Sequence, residues 1–238
     1  VIRLLGQVSQ LTAVAVSGGV DSMAALSFLS RNRKPSAIKA VYFHHGTAHG
    51  EEALKFLANY CGDNHTPLLI GRITAPKGKG QSWEEYWRNQ RYSYFSSLPL
   101  ERIVTAHQLN DVAETYVMGF IRGQTRLIPY CREPNIYRPF LLNSRQELLS
   151  WCERHHVPWI DDPSNTDVSY DRNRVRHQIL PEMLAMNPGF LRQVARKVAT
   201  QSQIIHPCSV KPCSDNFDTT ESVLAESPER LSAEHSDF

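Results

Sequence analysis

No run among the 238 residues approaches the roughly 20 consecutive apolar positions that a membrane-spanning helix needs. The opening Val1-Ile2-Arg3-Leu4-Leu5 lacks the long apolar stretch of a secretory signal. Cysteine is scarce and unpaired in pattern. The five cysteines (Cys61, Cys131, Cys152, Cys208 and Cys213) are odd in number and contain no CxxC spacing. That argues against a disulfide scaffold and against a thiolate zinc site, and it points to a reducing compartment, the cytoplasm or an organelle stroma. With 41% hydrophobic and 21% charged residues, a packed core is expected.

The formal net charge of +2 conceals an asymmetry. Residues 207–238 hold two basic residues against seven acidic ones, so the rest of the chain is clearly basic. A basic body suits a polyanionic partner, although a merely soluble basic surface would look the same. The acidic segment, rich in Ser, Glu, Asp and Pro, reads as a disordered tail.

Apolar runs alternate with helical patterns through the first half. Strands are expected over 11–16, 38–43, 68–73 and 102–106. Helices are expected over 21–29, 51–61, from Ser82 onward, and 110–121. Ser82 with Glu85 and Ser144 with Glu147 have capping-box spacing. Such alternation predicts an α/β fold: an open, mostly parallel sheet with helices on both faces, and ligands beyond the carboxyl ends of the strands. A short extended piece over 136–140, a helix to about His155 and a basic helical stretch over 171–186, kinked by Pro181, complete a catalytic domain over 1–186. A helical extension over 187–206 and the tail over 207–238 follow.

The sharpest local signal is Ser17-Gly18-Gly19-Val20-Asp21-Ser22, between the first strand and its helix. Two glycines allow a tight turn and close approach of a ligand. The following N–H groups at a helix N-terminus favour an anion. The hydroxyls of Ser17 and Ser22 can add hydrogen bonds to phosphate. Asp21 would repel phosphate unless a divalent cation lies between them, which implies Mg²⁺. The loop has no lysine, so it is not a Walker A loop. An ordinary Gly-Gly turn is the plain alternative.

This hexapeptide resembles the pyrophosphate loop of ATP pyrophosphatases. Further segments resemble the tRNA(Ile)-lysidine synthetase family: His44-His45-Gly46, Glu84 with Arg88-Asn89-Gln90-Arg91-Tyr92, His107 to Thr115, Arg138-Pro139-Phe140-Leu141, Asp162-Pro163-Ser164-Asn165 and Arg172-Asn173-Arg174-Val175-Arg176-His177. The resemblance implies an adenine-nucleotide α-hydrolase-like, Rossmann-like fold. It implies a ligase that uses ATP to activate C2 of the wobble cytidine of a CAU-anticodon tRNA(Ile). Free lysine then replaces AMP to give lysidine. By resemblance, residues 17–22 and His44 bind ATP, Asp21 holds Mg²⁺, and Asp111 and Glu114 bind lysine. Asp21, Asp111 and Glu114 become the catalytic set, and Arg88, Arg91, Arg172, Arg174 and Arg176 contact tRNA. No membrane partner is implied, and a homodimer is compatible with it.

Residue chemistry offers plainer alternatives. Asp111 and Glu114 share a helical face, yet Asn110 and Asp111 could cap the helix and Glu114 could close a capping box. Arg172, Arg174 and Arg176 could pair with Asp161, Asp162 and Asp167. His44 and His45 point to opposite faces of a strand and make a poor metal pair. Trp83, Tyr86, Trp87, Tyr92, Tyr94 and Phe95 read as core, with base-stacking platforms for RNA as the alternative. Gln108 and Asn110 depart from the family pattern, where a His and an Asp are usual, and Gly123 alone remains of a glycine-rich stretch. Other enzymes remain as alternatives: a cluster-dependent thiolase lacks its CxxC here, a persulfide thiolase would need a reactive cysteine near the loop, for which Cys61 and Cys131 are the candidates, and an amidotransferase-coupled synthetase would need a glutaminase domain. A non-catalytic ATP- or RNA-binding relic is the reading outside catalysis.

Overall fold

The computed structural model describes residues 1–6, 12–31 and 37–205. The expected acidic tail, with Cys208 and Cys213, lies outside these residues. Six strands form one sheet in the order β3-β2-β1-β4-β6-β5. They span Thr12–Val16 (β1), Ile38–His44 (β2), Leu68–Arg72 (β3), Arg102–Thr105 (β4), Cys131–Arg132 (β5) and Ile136–Tyr137 (β6). All neighbouring pairs are parallel except β5 with β6. The expected α/β architecture is therefore present, with an antiparallel edge that the sequence pattern did not announce.

The helices run Val20–Ser30 (α1), Ala48–Asp63 (α2), Trp83–Ser97 (α3), Leu109–Ile121 (α4), Arg145–Arg154 (α5), Asp171–Arg174 (α6), Leu180–Met186 (α7) and Phe190–Ile205 (α8). Strand alternation divides the core between the two faces of the sheet. Val14, Val16, Ala40, Tyr42 and Val104 pack with α1, α2 and α5. Ala13, Val41, Phe43, Ile103 and Ile136 pack with Tyr92 and Phe95 of α3. A third cluster joins Val112 and Ala113 of α4 to Leu180, Val194 and Val198.

Local chemistry explains the ends. Ser82 accepts from Glu85 N at 3.1 Å, and Ser144 with Glu147 forms the full reciprocal capping box. The stretch 171–186 is broken, as Pro181 required, but by a π-helical turn over Val175–Ile179 ahead of α7. The chain leaves β1 toward β2 on one side and later returns to place β4 on the other. The crevice between the carboxyl ends of β1 and β4 is thus the topological switch point, where ligands of open α/β sheets sit.

Candidate nucleotide and RNA site

The loop 17–22 occupies that crevice. Gly18 adopts φ +86°, and a Cβ there would stand 2.9 Å from Ile160 Cγ1, so glycine is required on both conformational and steric grounds. Ile160 N also donates to Gly18 O at 3.0 Å, which clamps the turn from above. Gly19 caps α1, and Val20 is buried beneath it. The two serines hold the loop's shape. Ser17 N donates to Ser22 Oγ at 3.1 Å, Ser22 Oγ donates to Gly19 O at 2.9 Å, and Gly19 N donates to Ser17 Oγ at 3.3 Å.

Asp21 projects from the first turn of α1 toward the segment that follows β4. Burial, and next the negative charge of Asp111, push its carboxyl up to about 7, against the attraction of Arg145 and Arg176 and a hydrogen bond with Gln108. Its Oδ1 is buried and has no hydrogen-bond partner. A carboxylate pair with one oxygen left over fits a small divalent cation, which typically takes one or two protein carboxylates and completes its shell with phosphate and water. No group of three or more His, Cys, Asp or Glu residues able to hold a metal occurs among the described residues.

The helix cap differs from expectation. The N-cap of α4 is Gln108, not Asn110 or Asp111: its Oε1 accepts from Asn110 N at 2.6 Å, and Asp111 Oδ2 accepts from Gln108 N at 3.1 Å. Gln108 is buried and bonds Asp21 as well, so it ties the two strand ends together. Asn110 Oδ1 accepts from Arg145 N at 3.1 Å and anchors the start of α5. The two departures from the family pattern thus have structural work.

Asp111 and Glu114 do share one face of α4, and Arg172 and Arg176 cover it. Arg172 Nε lies 2.9 Å from Glu114 Oε2, and Arg176 Nε lies 2.6 Å from Glu114 Oε1. Both guanidinium groups also reach Asp111 Oδ1, at 3.6 and 3.3 Å. The expected alternative partners Asp161, Asp162 and Asp167 are not the ones used in these pairs. Glu114 is 1% exposed, against 15% for Asp111, so a small ligand meets Asp111 first. Burial works against the charge of Arg176, yet hydrogen bonding and attraction to Glu114, then Asp111 and Asp21, raise its pKa overall. The π-helical turn places Val175 in the core and Arg176 toward the carboxylates. Arg174 stays exposed and outside this cluster.

His44 ends β2, one strand away. Its Nδ1 accepts from Gly46 N at 2.9 Å, and its Nε2 lies 3.1 Å from Glu51 Oε1. It helps line an open cavity of about 390 Å³ with Thr47, Glu51, Arg72 and Ile73. On the other side of the sheet, Arg88, Arg91 and Arg132 place guanidinium carbons 5.6, 5.6 and 4.0 Å from the Tyr92 ring centroid. Arg138, 3% exposed, donates to Pro129 O at 2.8 Å and to the Tyr92 hydroxyl at 3.4 Å. Burial would raise the Tyr92 pKa, but Arg138, Arg91 and Arg88 lower it overall. His107, bonded to Thr105 Oγ1 at 2.9 Å, is held neutral: burial, then Arg138, Arg172, Arg91 and Arg88, push it down to about 3.

Sequence reasoning did not single out Arg132, Arg145 or Ile160 for this site. Arg145 follows the Ser144 cap and Arg138 belongs to a quoted motif, but nothing local in the sequence says where either points. The aromatic reading of α3 holds for Tyr86, Tyr92 and Phe95 and fails for Trp83, which is 57% exposed.

A PP-loop domain model matches residues 4–183. A tRNA(Ile)-lysidine synthase from Neisseria meningitidis serogroup B is 34% identical over 198 residues, covering 79% of this chain and 46% of that protein. The corresponding protein of Haemophilus ducreyi is 32% identical, covering 77% and 44%. The chain therefore spans about half the length of the curated relatives it matches. Among solved structures, a U34-tRNA thiolase from Methanococcus maripaludis superposes with a TM-score of 0.67 at 15% identity, covering 81% of this chain and 71% of that one, a likeness of fold. With a glycine turn beyond β1 facing an acidic helix start beyond β4, and a family match over most of its length, the chain belongs to the PP-loop domain family.

Proposed function

We propose that the chain carries ATP-dependent ligation of lysine to C2 of the wobble cytidine in a CAU-anticodon tRNA(Ile). ATP use is the coarse property that goes with a PP-loop domain. The observation that carries the finer reading is the meeting of Asp21 with Asp111 at the switch point, beside Glu114. The names of the matching relatives point the same way.

In this reading the C2 oxygen of the cytidine attacks the α-phosphorus of ATP, and the bond to pyrophosphate breaks. The amine of lysine, having lost its proton, attacks C2, and AMP departs with the former C2 oxygen. The loop N–H groups and the N-terminus of α1 receive the pyrophosphate. Mg²⁺, held by Asp21 and reached by Asp111, would neutralise charge on the departing group. His44, at the end of the neighbouring strand, would contact ATP, as the family resemblance implies. Asp111 and Glu114 attract the lysine ammonium by charge. Arg172 and Arg176 already occupy that attraction, so lysine enters by displacing a guanidinium arm from Asp111 while Glu114 stays clamped. Gln108 keeps Asp21 in register with Asp111. Arg88, Arg91 and Arg174, exposed or half-buried, supply phosphate contacts, and Arg172 and Arg176 stand at the edge where RNA meets the carboxylates.

Among the described residues, the thiol positions do not favour sulfur transfer. Burial pushes Cys61 and Cys152 up to about 11, the reverse of a nucleophilic thiolate. The test is incubation with ATP, lysine and CAU tRNA, followed by mass spectrometry of the RNA. Lysidine should form, with one pyrophosphate and one AMP released per event. A gain of sulfur instead, or pyrophosphate release that ignores lysine and tRNA, would reject the proposal.

A further inference from the structure

One exposed tryptophan on a protein surface is ordinary. Trp83, however, begins a continuous ladder of rings that runs from solvent to the core at the ligand end of the sheet. Trp83 and Trp87 are 5.5 Å apart at 35°, Trp87 and His45 are 5.7 Å apart at 50°, and His45 meets Phe43 at 5.1 Å. Phe43 belongs to β2 and is 4% exposed, whereas Trp83 is 57% exposed. The middle of the ladder is unsatisfied. Trp87 Nε1 and His45 Nδ1 are both buried without a hydrogen-bond partner, an arrangement that native structures avoid unless a ligand or water completes it.

The charge around the ladder is mainly positive. Lys77 Nζ lies 5.3 Å from the Trp83 ring centroid, Lys79 is exposed two residues on, and Arg88 is exposed on the next turn of α3. Glu84 and Glu85 in the first turn are the acids that face this region. Arg91 lowers the pKa of both His45 and His107, so its positive charge is felt by the ladder and by the segment that follows β4 alike. Stacked aromatic rings with adjoining cations are the means by which proteins hold unpaired bases, whereas paired RNA offers only its backbone to such a surface.

We propose that Trp83 and Trp87 form a stacking platform for an unpaired base of the RNA substrate, with Trp87 Nε1 and His45 Nδ1 gaining partners as the base enters. The inference rests on the RNA substrate of the proposed function and adds where a loop base beside the modified one is held. Its probe is a CAU anticodon stem–loop, set against a fully paired RNA of equal length. The stem–loop should quench tryptophan emission of the full chain, and the duplex should not. Trp83→Ala should weaken stem–loop binding about tenfold and leave duplex binding and ATP binding unchanged. Trp83→Phe should recover most of the loss, as a purely electrostatic or folding effect would not. Trp87→Phe, which keeps the ring and removes the N–H, should reduce discrimination among loop bases more than affinity. Unchanged stem–loop affinity in Trp83→Ala overturns the platform, as does an equal loss on the duplex or the loss of a self-associated dimer alone. If lysidine forms and Trp83→Ala forms it as well as wild type at limiting RNA, the platform fails and the proposed function stands. If the unaltered chain binds neither RNA, both fall.

Discussion

Two groups of arginines flank the crevice, and they live in opposite surroundings. Arg172 and Arg176 grip two carboxylates, one of them 1% exposed, in a closed and charge-balanced set. Arg88, Arg91 and Arg132 surround the ring of Tyr92, with Arg138 at its hydroxyl and Glu84 the acid that bears on Arg91. The same side chain does different work in each. In the closed set, each charge has its counter-charge, and the result is fixed geometry for Asp111 and Glu114. In the open set, the charge of Arg88, Arg91 and Arg132 is what the proposed function would use to attract a polyanion. Position relative to a carboxylate, and not the identity of the residue, separates the two.

The largest effect is expected at Asp21, where the closed side leaves an oxygen without a partner. Asp21→Asn should lower turnover by at least about 100-fold, since losing a metal ligand costs several kcal/mol of transition-state stabilisation. Pyrophosphate release at saturating Mg²⁺, with circular dichroism as the control for folding, is the measurement. Wild-type turnover would remove Asp21 from the chemistry.

The contrast between the clusters predicts the next effect. Glu114→Gln leaves two guanidinium groups short of a buried counter-charge and should cost about 3 kcal/mol of stability. Arg88→Ala on the open side should change stability by less than about 0.5 kcal/mol. Urea unfolding of both variants decides, and similar midpoints would erase the distinction. In the fraction of Glu114→Gln that stays folded, KM for lysine should rise more than KM for ATP. Equal rises would assign Glu114 to the scaffold or the metal.

His107 titrates between the two groups. Folded, it holds its pKa near 3; in the unfolded chain the ordinary value is 6.5. Unfolded chains therefore take the proton first. The contribution is fully present above pH 6.5 and is lost as pH falls toward 3, at about 1.4 kcal/mol per pH unit. Between pH 7 and pH 5 the urea midpoint should drop, and His107→Gln should flatten that drop. An identical pH profile in the variant would show that burial and the arginines together do not hold this imidazole neutral.

The smallest effect belongs to the open side. Removing Arg88 should weaken RNA binding about equally across sequences and reduce the slope of log affinity against log salt by about 1. Sequence-dependent loss would mean that Arg88 reads a base. An unchanged slope would mean that it touches no phosphate.

Much of this molecule is written locally. Alternating apolar runs predicted the four long strands and their helices, because burial on both faces of a parallel sheet demands them. The loop 17–22 was legible because Gly-Gly-x-Asp between a strand and a helix constrains backbone and charge at adjacent positions. The capping box at Ser144 and Glu147 was legible for the same reason: its partners lie three residues apart. Three things were not legible. The cap of α4 shifted from Asn110 to Gln108, because Gln108 is also needed across the crevice at Asp21. Arg172 and Arg176 pair with Asp111 and Glu114, about 60 positions back along the chain, because a buried carboxylate gains more from a guanidinium than an exposed one does. Trp83 stood out into solvent although its helix neighbours Tyr86, Tyr92 and Phe95 entered the core, since only the docked orientation of α3 selects which side faces the sheet. Sequence by itself determined the elements, the glycine turn over residues 17–22 and the supply of charges, because these depend on neighbours within a few residues. Tertiary structure alone decided which charges meet, which are left without partners and which rings face water, because those outcomes depend on distances between strands that the chain visits far apart.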